Sequence, residues 1–231
     1  MRQFKDETLG MITVRDNHLS RSIRMRLSPR GEIVVTAPPR TPLFIIKQAI
    51  KKSHASLVDM QNTTPRDIYH DGQQIGHSHQ LAIVSSTLHD EVSITVSKRT
   101  IIVSLPSEVR VDDDDVQLGI RDHVVQILRK EAKAYLPKRL ATLAERHGFS
   151  YASVRFPHAI SRWGSCSSTG TISLNIALMR LDLDLIDYVI LHELTHTRHM
   201  NHSRDFWSTL ETTDPHYRLH RRQIKTHTPI V

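Results

Sequence analysis

Apolar positions in the first hundred residues recur mostly at intervals of two. Short runs at 11–14, 23–27 and 33–35 read as strands, and the second, Ile23-Arg24-Met25-Arg26-Leu27, alternates strictly between apolar and basic. Pro29-Arg30-Gly31 supplies a turn between the last two. The period then changes. Thr41 is a helix N-cap residue type and Pro42 suits the first helical position, so a helix is expected from about 41 to 61. It would bury Leu43, Ile46, Ile50, Leu57 and Met60. Strand-like runs return at 81–84, 92–96 and 101–105.

The acidic cluster at 112–115 marks an expected boundary. Carboxylates spread around a helix start do not converge on a cation, and they favour the positive end of the helix dipole. From 116 to about 147, Ile120, Val124, Ile127, Leu128, Ala132, Tyr135, Leu136, Leu140 and Leu143 recur at threes and fours, which predicts a helix. Pro137 is expected to kink or split it, and Gly148 to stop it. Strands are expected at 153–156 and 171–174, then a helix from about 184 to 200 with Ile186, Val189, Ile190 and Leu194 inward. Asn201 tolerates the left-handed conformation and is expected to end that helix. Two shorter helices come next, near 205–211 and 217–224. The expected class is α+β: a small β-rich domain with one helix over residues 1–107, then a second domain over 108–231.

Composition agrees with a packed interior, since 39% of the 231 residues are hydrophobic and 24% charged. No apolar run reaches the roughly 18 residues that span a bilayer, so no membrane partner is expected. The first residues mix charges with single apolar positions, unlike a secretory leader. Cys166 is the sole cysteine, which excludes an intrachain disulfide and suits a reducing compartment. A cytoplasmic location is therefore expected. The formal charge is +7, and Arg15, Arg21, Arg24, Arg26 and Arg30 crowd one short stretch. Such a stripe suits nucleic-acid phosphates or an acidic partner; a solvated sheet face is the plainer reading.

The chemistry concentrates near the end of the chain. His192-Glu193-Leu194-Thr195-His196 fits H-E-x-x-H. On a helix, residues four apart share a face one turn apart, so both imidazoles can reach one zinc ion. Glu193 is offset by about 100° around the axis. It need not be a ligand, yet it can reach a water at the metal, as a general base must. The preceding Tyr188-Val189-Ile190-Leu191 is apolar, as a buried active-site helix needs. A third ligand could be His199 or His202. His199 lies about 10.5 Å along a straight helix from His192, where three ligands converge poorly. His202 comes after Asn201, where the chain can turn back, and stands ten residues after His192 as in the longer H-E-x-x-H-x-x-G-x-x-H motif. His202 is preferred, although His199 occupies that motif's glycine position.

Arg162-Trp163-Gly164-Ser165-Cys166, Leu174-Asn175, the stretch from Asp187 to His196, Asn201-His202-Ser203 and Phe206-Trp207 together resemble the YgjP-like metallopeptidase family. The resemblance is tightest over 150–210. It implies a zincin-like catalytic domain related to SprT-type proteases, with His192, His196 and His202 as zinc ligands and Glu193 as catalytic base. Two family features are absent: a tryptophan in the first helix, where Leu57 stands, and a proline ahead of the active-site helix in 180–185.

Other polar residues carry weaker alternatives. Arg162 is either an oxyanion stabiliser or a structural ion-pair partner, the second being the plainer reading. Cys166 is more simply a buried inert thiol than a fourth ligand, and Tyr217 more simply a packing residue than a donor to the reaction. His216 and His220 are expected at the surface, and His77 and His79 without metal. The expected function is hydrolysis of peptide or protein substrates by a zinc-activated water. The alternatives are a protease addressed to nucleic acid by its basic N-terminal half, a zinc-stabilised binding module without turnover, and hydrolysis of a non-peptide amide.

Overall fold

Met1–Arg66 and Asp67–Val231 form two compact units in the computed structural model, which describes residues 2–28, 31–63, 68–86 and 91–231. Pro29 and Arg30, part of the expected turn and of the arginine stripe, lie outside the described residues.

The first unit holds a sheet in the order β1-β2-β4-β3: β1 (Arg2–Asp6), β2 (Gly10–Asp16), β3 (Arg24–Leu27) and β4 (Ile33–Ala37). β2 and β4 run parallel, and β1 and β3 are antiparallel to their neighbours. The β1–β2 turn closes on Asp6, whose Oδ1 accepts from the amides of Thr8 and Leu9, each at 3.0 Å. The expected long helix is two: α1 (Leu43–Lys52) and α2 (His54–Thr63). The break falls at Ser53, whose amide reaches the carbonyls of both Ala49 and Ile50. Thr41 does not cap α1. Pro42 takes the N-cap position, and the Thr41 hydroxyl donates to the Pro38 carbonyl instead. Ile46, Ile50 and Leu57 are buried as expected, whereas Leu43 and Met60 are exposed. Gln61 at the end of α2 donates to the carbonyls of Leu9 and Gly31, tying the helix to two turns of the sheet.

The second unit begins with another four-stranded sheet, ordered β5-β6-β8-β7: β5 (Gln74–Ile75), β6 (His79–Ser86), β7 (Ser93–Ser97) and β8 (Thr100–Pro106). Helix α3 (Asp114–His147) then runs for 34 continuous residues, about 51 Å. Pro137 is accommodated within it, without splitting it. Gly148 terminates it at φ +65°, where a Cβ would be strained. The division of the chain thus falls at 66/67, not at the expected 107/108. The reason is packing: Leu81, Ile101, Val103 and Leu105 of the second sheet share one buried core with Val116, Ile120, Val124 and Ile127 of α3. That sheet therefore belongs to the same unit as α3.

Beyond α3, a third sheet has the order β10-β11-β9, built from β9 (Ser153–Arg155), β10 (Gly164–Cys166) and β11 (Thr171–Leu174). A 3-10 turn over Ile176–Arg180 leads into α4 (Leu183–His196), and α5 (Arg204–Thr213) and α6 (Tyr217–Gln223) complete the helices. Arg139 of α3 grips Asp187 of α4 with a two-point ion pair, Nε donating to Oδ1 at 2.7 Å and Nη2 to Oδ2. This fork joins the two helices through partly buried charges. Among the described residues no helix is long and apolar enough to cross a membrane.

Candidate metal centre

Helix α4 is hydrophobic nearly all round, with Leu185, Ile186, Val189, Ile190, Leu191 and Leu194 buried, so it lies inside the unit rather than on its surface. His192 and His196 stand one turn apart on it, their rings 4.9 Å centroid to centroid. The helix ends at His196, four residues short of the expected 200. The Thr197 hydroxyl donates to the Leu194 carbonyl, and Arg198 reaches away to the Gly148 carbonyl while its guanidinium covers the Phe149 ring at 4.2 Å. The bend therefore begins at Thr197, ahead of Asn201. It returns His202 to the helix, and its Nε2 lies 3.1 Å from His192 Nε2.

One ring nitrogen from each of His192, His196 and His202 falls within 4.8 Å of the others. His199 is not part of this group. Its ring nitrogen meets the Thr209 hydroxyl at 3.1 Å, and its backbone carbonyl faces His196 Nδ1 at 3.0 Å. With Nδ1–H donating to that carbonyl, His196 presents Nε2 as a lone-pair donor. Phe206, fully buried in α5, packs its ring against all three histidines at 4.6–4.9 Å. Trp207 stacks on His202 and donates its indole N–H to the His202 carbonyl. Burial, reinforced by the neighbouring histidines and Arg221, pushes the His192 imidazole down to about 3. It is neutral near pH 7, as a metal ligand must be. The donor set, three imidazole nitrogens gathered within 4.8 Å of one another, fits a divalent ion of the zinc type.

Glu193 is 5% exposed and its Oε2 has no hydrogen-bond partner among the described residues. Burial pushes its carboxyl up to about 8, opposed by the positive charge of Arg162. Its seat is Gly164 on β10, where a Cβ would come within 2.6 Å of Glu193 Oε1. A side chain at that position would displace the carboxylate. Sequence reasoning singled out the Arg162–Cys166 string without finding this role, because a glycine's service to a distant carboxylate has no local pattern. Asn175, 1% exposed, was equally silent: its Nδ2 donates to the carbonyls of Ala159 and Arg162 and holds that loop in place.

The remaining candidates fall outside the cluster. Cys166 is partly buried, and burial together with the Glu193 charge pushes its thiol up. Tyr217 is buried and stacked on Trp207 at 5.7 Å, in line with the packing role. His220 departs from the surface position expected of it: its Nδ1 lies 2.8 Å from the buried carboxylate of Asp214. His216 is exposed. His77 and His79 both belong to a clasp around Glu131 of α3, the first donating its backbone N–H at 2.9 Å and the second placing Nδ1 3.3 Å away.

Two solved structures resemble part of the chain, both of metallopeptidase zymogens. Abylysin of Pyrococcus abyssi is 25% identical, with a TM-score of 0.36, covering 39% of this chain and 91% of that one. Jannalysin of Methanocaldococcus jannaschii is 21% identical, with a TM-score of 0.35 and coverage of 39% and 93%. At these TM-scores the likeness carries no argument. No curated protein matches. The family comparison is of a different order: the model of the YgjP-like metallopeptidase domain matches residues 21–227, nearly the whole chain and every residue of the histidine cluster. The chain belongs to the YgjP-like metallopeptidase domain family.

Proposed function

We propose that the protein is a zinc peptidase in which His192, His196 and His202 hold the metal and Glu193 is the catalytic base. The observation that carries this reading is the convergence of three imidazole nitrogens within 4.8 Å, beside a buried carboxylate with an unpartnered oxygen. Zinc so held supplies a Lewis acid and lowers the pKa of an attacking water towards about 7. Glu193 accepts that water's proton and returns it to the leaving amine nitrogen. Its burial raises the carboxylate's affinity for that proton, and the positive charge of Arg162 works the other way. β10 is an edge strand beside α4, so an extended peptide can lie along it. That favours a peptide over a non-peptide amide. No further His, Cys, Asp or Glu joins the cluster among the described residues, so a metal held by the three histidines would keep a coordination position for water or substrate. A closed structural site would need such a ligand.

The experiment is digestion of a proteome-derived peptide library by the wild type and by Glu193→Gln. The wild type should cleave it, and Glu193→Gln should lose cleavage by at least about a hundredfold while keeping its metal. Undiminished cleavage by the variant would remove Glu193 from the mechanism.

A second reading concerns the first unit. Lys5, Arg15, Arg24 and Arg26 alternate onto one face of its sheet, are exposed, and share that face with no strand-borne acid. This arrangement supports a nucleic-acid address for the peptidase. Binding of single-stranded DNA that weakens steeply between about 50 and 200 mM salt is the expected result, and no binding at low salt would dismiss it.

A further inference from the structure

Next to the Gly164 seat of Glu193 lies a hollow of about 250 Å³, lined by Pro157, Ala159, Arg162, Trp163, Ser165 and Ser173 among others. It reaches the reacting region through Gly164, which lines it and also seats Glu193. The volume is below the roughly 300–1,000 Å³ of small-molecule pockets, so it suits one side chain or one chain end.

The hollow is built rather than incidental. Asn175 lines it and uses its whole amide to hold the wall: Nδ2 donates to the Ala159 and Arg162 carbonyls, and Oδ1 accepts from the Ala177 amide at 3.1 Å. The backbone that carries Arg162 is thereby fixed from inside. The Arg162 guanidinium itself has no ion pair or hydrogen bond among the described residues. It is an exposed cation lining the hollow, with its five donors unspent. The hydroxyl-bearing residues Ser165 and Ser173 add further hydrogen-bonding groups to the lining. Arg221 lies over Trp207 at 4.4 Å, and its charge reaches His192 and His202. Two arginine charges, Arg162 on Glu193 and Arg221 on His192 and His202, therefore act on the centre.

We infer that this hollow is a specificity subsite, in which Arg162 receives a carboxylate of the peptide substrate in a forked, two-point pair. The inference rests on the peptidase reading of the same centre. The carboxylate is either an aspartate or glutamate side chain beside the scissile bond or the substrate's own C-terminus. A planar guanidinium binds both alike, and it discriminates against the neutral amide isostere because the amide cannot offer two acceptor oxygens.

The test measures binding, which does not require turnover. Full-length Glu193→Gln is titrated with matched peptides that differ only in Asp against Asn at one position, or in a free against an amidated C-terminus. At least one carboxylate peptide should bind about tenfold or more tightly than its amide counterpart. The pair that shows the difference names the source, side chain or chain end. Adding Arg162→Gln should erase the preference, and Arg162→Glu should transfer it to a lysine-bearing peptide. Both substitutions fall on an exposed side chain, so melting should be unchanged. Equal binding of every acid–amide pair overturns the inference, as does a preference that survives Arg162→Gln. If Arg162→Gln in the otherwise wild-type protein instead slows every peptide alike without altering selectivity, the residue stabilises the transition state and the subsite is rejected. The two proposals fail separately. Selective binding without any wild-type hydrolysis sinks the peptidase, and hydrolysis indifferent to acids sinks the subsite.

Discussion

A methyl group at position 164 would stand 2.6 Å from Glu193 Oε1 and 2.7 Å from its Cγ. Gly164→Ala must therefore move the carboxylate, and a displacement of about 1 Å can cost about a hundredfold in rate. The expected outcome is a large loss of peptide turnover with metal content and melting temperature nearly unchanged. Unaltered turnover would show that Glu193 tolerates the shift. His158 offers a pH prediction of a different kind. Burial, helped by the Arg129 charge, pushes its imidazole down to about 4, and Nε2 has no partner among the described residues. The unfolded chain takes up this proton near pH 6.5, whereas the folded chain refuses it until about pH 4. In that window the unfolded state binds more protons, so stability falls as pH drops from 6.5 towards 4. Melting at pH 7 and pH 5 should show the loss, and His158→Asn should show less of it. Legible in the sequence was the placement of His192 and His196 one turn apart, because it comes from spacing along one helix. The contacts of Gly164 with Glu193 and of Asn175 with Ala159 and Arg162 were not, because each partner stands well away in the chain.

Helix α4 was legible as an element, since its apolar positions and its H-E-x-x-H string agree on one periodicity. Its end was not. The bend at Thr197 depends on a hydroxyl turned back on Leu194 and on Arg198 reaching Gly148, a contact some fifty residues away in sequence. The same holds for the break at Ser53, which separates two helices whose apolar spacing reads as continuous. The Arg139–Asp187 fork fixes α4 against its neighbour α3. Arg139→Ala leaves a partly buried carboxylate without its counter-charge, at a cost of about 1–3 kcal/mol. The expected result is a melting temperature lower by several degrees, with the three-histidine cluster still in place. A variant as stable as the wild type would show the pair to be energetically idle.

At the scale of the whole molecule, every residue of the centre lies in Asp67–Val231, and so does the core that supports it. Residues 67–231 expressed alone should therefore fold cooperatively and bind metal, whereas 108–231 should not, because its α3 would lose the apolar partners on β6 and β8. The expected boundary at 107/108 failed for this reason: strand patterns reveal that a sheet exists without revealing which helix covers it. The α+β class, in contrast, came from the change of hydrophobic period alone. The central claim is that His192, His196 and His202, and not His199, gather one metal ion. Its most direct test is metal content per chain, measured by elemental analysis on the wild type, His202→Ala and His199→Ala. The account predicts a single zinc-type ion in the wild type, near-complete loss in His202→Ala and retention in His199→Ala. Retention in His202→Ala with loss in His199→Ala, or a wild type that takes up no metal, would contradict it.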